Sequence, residues 1–335
     1  MNIDISNAIQ LLKCHAYAHD DEQLSKAENG FLGSLRPFQG ELKEANLHEM
    51  MVVIRALAAK LGEPALDREI IACLWTICKL GRAWAVEPEG MLRSNGLITD
   101  EQVERMEQWL DLISYAVMIL LDNGGEEEAF WGYREYVSEQ LEPLIAELDH
   151  LLQEKVVEDE IQELHDEYKE RAGANEERLA AFERKFDVLL PEDFRSFYRR
   201  KDGSGYAFHI LYPGDAETEE CVPYYLMSLD EMEKTKGYFC ERDELLAQYY
   251  SEEEVRELAP EIKPYLFYRK WFPFATMAGG SLYLMLDLDP SDQGTYGQII
   301  SYVHDPDFVY YVAGSFTDLL RESNLNLSLM DEIEY

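Results

Sequence analysis

WFPFATMAGGSLYLMLDLDP, residues 271–290, decides the fold of the second half of this chain. Leu282, Leu284, Leu286 and Leu288 occupy every second position and alternate with Ser281, Tyr283, Met285 and Asp287, which is the period of a β-strand. One face of that strand is an unbroken leucine row, so it belongs to a core. Gly279 and Gly280 separate it from the apolar run that starts at Trp271, and a glycine pair between two such runs signals a tight turn. Downstream, residues 297–303 and 308–312 read as two more strands, and Ser315 with Asp318 resembles a capping box opening a last helix, SFTDLLRES. Upstream, residues 206–212 and 224–227 are strand-like. They follow one helix over 177–186 and a second that opens at Pro191, a residue suited to a first helical turn.

Before residue 176 the period changes. Val52, Val53, Ala56, Leu57 and Leu61, or Ile70, Ile71, Leu74, Trp75 and Cys78, recur at helical spacing, and no strand pattern interrupts residues 3–145. Thr99 with Gln102 forms a capping box ahead of VERMEQWLDLISYAVMILL. That segment is apolar nearly all round and is expected to be the central, most buried helix, ended by Gly124 and Gly125. Five or six helices are expected, with turns at Glu63-Pro64, 88–96 and 123–125. Leu144, Leu148, Leu151, Leu152, Val156, Ile161, Leu164 and Tyr168 then predict one long helix over 141–171, stopped by Gly173 and Asn175. The fold class is therefore α+β: an all-α domain over 1–145, a connecting helix over 146–174, and a domain over 175–335 with an antiparallel sheet flanked by helices.

Composition narrows the function. The 335 residues carry a formal charge of −37, which repels the phosphate backbone of nucleic acid and favours a partner with a basic surface. The same surplus also serves solubility. No apolar run approaches the roughly 20 residues of a membrane-spanning helix. Asp4 stands where a signal peptide is basic, so a cytoplasmic location is expected. Cys14, Cys73, Cys78, Cys221 and Cys240 are odd in number and scattered, which points to buried free thiols. Cys73 and Cys78 lie about 140° apart around one helix and cannot share a metal from it.

Catalytic and cofactor motifs are missing: there is no P-loop, no GxGxxG between strand and helix, no nucleophile elbow and no HExxH. His209, in a strand, reads as a satisfied structural histidine, and His304 beside Asp305 as turn chemistry or an acid/base pair. Asp287, Asp289 and Asp292 fail as an EF-hand loop in either register: Asp292 and Gln298 replace the required Gly and Glu, or Ile300 replaces the Glu. No metal and no cofactor are expected. Glu126–Glu128 suit the N-terminus of a helix. Asp215, Glu217, Glu219 and Glu220 lie between a Pro-Gly turn and Tyr224-Tyr225, either as a solvated loop or as the acidic rim and tyrosine anchor of a partner-binding site.

LLPEDFRSFYRRKDG (189–203), WFPFATMAGGSLYLMLDLDP (271–290), GQIISYVHD (297–305) and SFTDLLRE (315–322), in that order, resemble the successive blocks of the SUKH superfamily, in the branch named for the yeast regulator of cell-wall and glucan synthesis. The resemblance covers about residues 176–325. It implies that Pro191, Phe194, Phe197 and Tyr198 form a helix packed on the sheet, and that Trp271, Pro273, Gly279 and Gly280 form a strand and its turn. It further implies that Asp287 and Asp289 end the next strand, Gly297 and Gln298 begin another, and Ser315, Phe316 and Leu320 cap and pack the last helix. Asp202-Gly203 stands where the family often has Asn-Gly, and MAGGS replaces an acidic, glycine-rich hairpin. What the resemblance implies for function is protein binding: a toxin-neutralising immunity protein, or a regulator or scaffold of cell-envelope assembly. An enzyme with a site between domains is the third reading, and the resemblance does not extend to the first 145 residues, an all-helical domain without a family assignment.

Overall fold

Side-chain caps set the helix ends in the first half of the chain. Asp67 accepts from the amides of Glu69 and Ile70 to start one helix, and Thr99 and Gln102 close a reciprocal capping box to start another. The computed structural model describes residues 5–18, 24–214, 221–239, 242–277 and 279–333. They fall into two compact units, Met1–Tyr136 with Asp187–Leu189, and Val137–Phe186 with Leu190–Tyr335.

In the first unit the elements are α1 (Ile5–His15), α2 (Leu24–Asn29), α3 (Glu44–Ala56), α4 (Ala58–Leu61), α5 (Arg68–Gly81), α6 (Met91–Ser94), α7 (Asp100–Leu121), α8 (Glu126–Ala129) and the start of α9 (Trp131–Lys155). The central helix is α3, whose Leu47, Met50, Met51, Val53 and Ile54 are all buried. The expectation that α7 would be the most buried helix is corrected. It buries Val103, Met106, Trp109, Leu110, Ile113, Ala116 and Leu120 on one side and leaves Met118 55% exposed. Its antiparallel neighbour α5 likewise leaves Trp75 exposed, because each helix has other elements on one side alone.

A buried ionic cluster ties α1, α2 and α3 together. Lys26 Nζ donates to Glu49 Oε1 at 2.9 Å, and His15 Nε2 lies 2.9 Å from Glu49 Oε2. His15 Nδ1 accepts from the Phe31 amide, which places the imidazole proton on Nε2, facing the carboxylate. Burial alone would raise the Glu49 carboxyl, but Lys26 and His15 hold it down at about 2.

The second unit continues α9 and adds α10 (Asp159–Glu170), α11 (Glu176–Phe186), α12 (Glu192–Arg200), β1 (His209–Leu211), β2 (Tyr224–Leu226), α13 (Leu229–Phe239), β3 (Glu244–Leu245), α14 (Glu252–Val255), β4 (Tyr265–Phe267), β5 (Trp271–Thr276), β6 (Leu282–Asp287), β7 (Gln298–Val303), β8 (Phe308–Ala313) and α15 (Phe316–Leu329). The single long helix expected over 141–171 is two helices that break at residues 156–158. After the break, Tyr168 and His165 of α10 pack on Phe208, and Lys201 Nζ donates to the Tyr168 carbonyl at 2.8 Å. Packing on the sheet unit has overridden the helical period of the sequence.

The main sheet has the order β1-β2-β5-β6-β7-β8, antiparallel throughout, with a two-stranded β3-β4 ribbon beside it. On one face, Phe272 and Phe274 meet Phe182, Phe194 and Phe316 of α11, α12 and α15. On the other, Trp271, Met285 and Ile300 lie under Leu246, Ile262, Leu266 and Phe267. The leucine row is core, as its spacing requires, yet Met285 and Asp287 on the opposite face are equally buried. Residues 244–268 supply that second cover, and their irregular structure has no period to read.

Candidate partner-binding site

Residues of β2, β6, β7 and β8 leave part of the helix-packed face of the sheet open toward α15. The opening is a cleft of about 270 Å³. Its floor is Leu284 and Ser301, paired across β6 and β7. Val303, Tyr310, Tyr311 and Val312 wall one side, and Pro213, Gly214, Val222 and Tyr224 the other, with Glu322 of α15 at the rim. Glu322 Oε1 accepts from the Gly214 amide at 3.2 Å, and Gly214 forms an antiparallel bridge to Cys221. Beyond Glu322, the same side of α15 presents Leu325, 61% exposed, and Leu329, 78% exposed. Burial raises the Cys221 thiol, and Glu322 adds to the effect, so this exposed cysteine is held as the protonated thiol. It corrects the expectation that the cysteines are buried, since its neighbours Gly214 and Glu322 cover it incompletely. Cys240 lies outside the described residues.

Of the residues expected to bind a partner, Asp215, Glu217, Glu219 and Glu220 lie outside the described residues. Tyr224 lines the cleft. Tyr225, its neighbour on the strand, faces the other side, where its ring meets Tyr206 and His209. Both tyrosines are buried, so they do not form one exposed anchor; the exposed tyrosine of that cluster is Tyr206. Burial pushes the Tyr225 hydroxyl up to about 12. Glu322, Ser301 and Tyr310 were not readable as site residues, because sheet order brings them together and no local motif does.

The residues carried over from the family resemblance have structural explanations. Gly297 has φ +83°, and a Cβ there would stand 2.4 Å from Pro191 Cγ, which precedes α12. Asp287 Oδ1 accepts from the Asp289 amide at 3.0 Å and Oδ2 from Gln298 Nε2 at 3.0 Å. Burial raises the Asp287 carboxyl to about 7, against those two hydrogen bonds. Asp289 pairs instead with Lys263 at 2.6 Å and with the Tyr268 hydroxyl, and among the described residues no three carboxylates gather as a metal-holding group. Trp271 and Pro273 lie in β5 opposite Asp287 and Met285, and Gly279 and Gly280 turn with φ of +107° and +73°. Ser315 Oγ accepts from the Asp318 amide at 3.0 Å, and Phe316 packs against Phe194 and Phe197.

Two histidines differ from expectation. His304 Nδ1 lies 2.5 Å from Asp307 Oδ1, three residues on, instead of pairing with Asp305. Burial lowers the His209 pKa, and its Nε2 has no hydrogen-bond partner among the described residues, so it is structural without being satisfied. Arg195 is also buried and missed by the sequence reading: α12 places it among Glu176, Glu183 and Glu192, which neutralise it.

No helix among the described residues is long and apolar enough to cross a membrane. No curated protein matches this chain. Residues 173–322 match the model of the SMI1 / KNR4 family (SUKH-1), a match in the C-terminal half of the chain that is consistent with a SUKH domain.

Proposed function

We propose that this chain is a non-catalytic protein-binding protein of the cytoplasm that neutralises a toxin with a basic surface, in the manner of an immunity protein. The observation that carries the reading is the cleft of the SUKH unit, an opening onto the sheet with a carboxylate at its rim and exposed leucines beside it. An opening of mixed polar and apolar lining with a charged edge has the composition of a protein contact, with a buried centre and a polar rim. Charge supports the same reading: residues 137–335 carry 44 Asp and Glu against 18 Lys and Arg. A field of that sign raises the on-rate of a basic partner by about 10–1000-fold at low salt.

Affinity purification from the native organism, followed by stopped-flow association with the recovered partner, tests this. The on-rate should fall steeply between low and physiological salt, where screening acts over about 8 Å, while the off-rate changes little. Reversing Glu217, Glu219 and Glu220 to Lys should reproduce the loss without lowering Tm. An on-rate indifferent to both changes would remove electrostatic recognition.

A further inference from the structure

We propose that the cleft between the sheet and α15 receives an arginine side chain of the bound partner. The inference rests on the protein-binding reading and names what enters the site. An arginine offers a three-carbon apolar stem and a planar cation, and the cleft has a counterpart for each. Val303 and Val312, both half-buried, face the stem above the buried Leu284, and the stem gains by leaving water. Tyr310, which is only half-buried, supplies aromatic surface, on which a guanidinium stacks.

Glu322 supplies the charge. Its Oε1 accepts one backbone amide, and no lysine or arginine among the described residues pairs with it; the adjacent Arg321 pairs with Asp318 at 2.6 Å instead. An incoming guanidinium completes that carboxylate with a charge-assisted bond. Lysine fits less well, because its ammonium is more strongly hydrated and does not stack as a plane. An anion meets a chain of net charge −37, and a neutral side chain leaves Glu322 without a counterion.

The test uses the full chain with methyl-labelled valine and leucine and three neutral-backbone probes: N-acetyl-arginine amide, the lysine equivalent and the uncharged citrulline equivalent. Arginine amide should shift the methyls of Leu284, Val303 and Val312 saturably. Citrulline amide, and arginine amide on Glu322→Gln, should bind about tenfold more weakly, the loss of one hydrogen bond to a charged group. Val222→Trp, which fills the mouth of the cleft and keeps the Glu322 carboxylate, should abolish the shifts while the remaining spectrum is unchanged. Equal shifts from citrulline, shifts that spread over the surface without saturating, or full binding to Glu322→Gln would overturn the assignment. A partner whose affinity survives Val222→Trp also overturns it but leaves protein binding intact. Saturable arginine binding by a chain whose partner shows no salt-dependent association would instead break the broader reading and keep the cleft.

Discussion

Each unit has a carboxyl group at 1% exposure or less, Glu49 in one and Asp287 in the other, and the two are treated in opposite ways. Glu49 of the helical unit lies between Lys26 and His15, which hold it ionised at about 2. Asp287 of the SUKH unit lies between an amide side chain and a backbone N–H, and burial raises it to about 7. Burial raises both; what differs is the neighbours. A cation at hydrogen-bond distance outweighs the cost of desolvating a carboxylate, and two neutral donors do not. The contrast also marks different structural work. Glu49 joins three helices through charge, whereas Asp287 fixes the start of β7 through Gln298, which donates onward to the Glu261 carbonyl at 2.9 Å.

The comparison requires that residues 137–175 belong with the sheet, and truncation breaks or sharpens it with the largest effect. A chain of residues 137–335 should unfold cooperatively. A chain of residues 176–335 should lose that transition, because it lacks Tyr168 and His165 over Phe208, and the Leu144 carbonyl that accepts from Asn324 Nδ2 at 2.8 Å. Near-UV circular dichroism through a urea series reads both. Equal cooperativity would place the boundary near 174, where the sequence period changes.

Next in size is the ionic cluster. Glu49→Gln leaves Lys26 and His15 buried without their counter-charge and should cost about 3–5 kcal/mol. Asp287→Asn keeps a neutral group but turns an amide donor toward Gln298 Nε2, so about 1–3 kcal/mol is expected. Urea titration at pH 6 compares them, and an equal cost would end the distinction between the two sites. On the sheet itself, Leu286→Ala and Met285→Ala should each cost about 2–5 kcal/mol, since both faces are covered. Tyr283→Ala, on a half-buried side chain, should cost less. A Met285 loss well below that of Leu286 would mean that residues 244–268 do not seal their face.

Much of this fold was legible because local patterns fixed it. The leucine alternation of β6, the glycine turn at 279–280, the caps at Thr99 and Ser315, and the order of the SUKH blocks each depend on neighbours within a few residues. What was not legible depends on distant ones. The break of the long helix at 156–158 follows from Tyr168 reaching Phe208, and the cover of Met285 comes from a stretch without period. The exposure of Trp75 and Met118 follows from which sides of α5 and α7 other elements occupy. The candidate site is the extreme case: Glu322, Ser301 and Tyr224 come from three separate elements, and only Tyr224 stood near a suggestive pattern. Gly297 was legible as a motif position, but its reason, the close approach of Pro191, was not.

The dependence on pH is the most direct test of the contrast between the buried carboxyls, because it depends on sign. The Asp287 pKa is raised by folding, from an ordinary 3.8 to about 7. Between about pH 4 and 7 the unfolded chain therefore releases a proton that the folded unit keeps, so the unit loses stability as pH rises through that window, by at most about 1.4 kcal/mol per unit. The Glu49 pKa is lowered, from 4.5 to about 2. Its contribution is complete above about pH 4.5 and is lost as pH falls from there toward 2. The two units should thus slope in opposite directions. Urea titrations from pH 2.5 to 8, read by pulsed hydrogen exchange with mass spectrometry, report peptides of each unit separately. Asp287→Asn should flatten the slope of the SUKH unit between pH 4 and 7 and leave the acid limb of the helical unit alone, and Glu49→Gln should do the reverse. A SUKH slope that persists in Asp287→Asn would move its origin to other carboxylates of this acidic unit. Slopes of the same sign in both units would mean that hydrogen bonds from neutral donors hold Asp287 ionised as firmly as Lys26 and His15 hold Glu49.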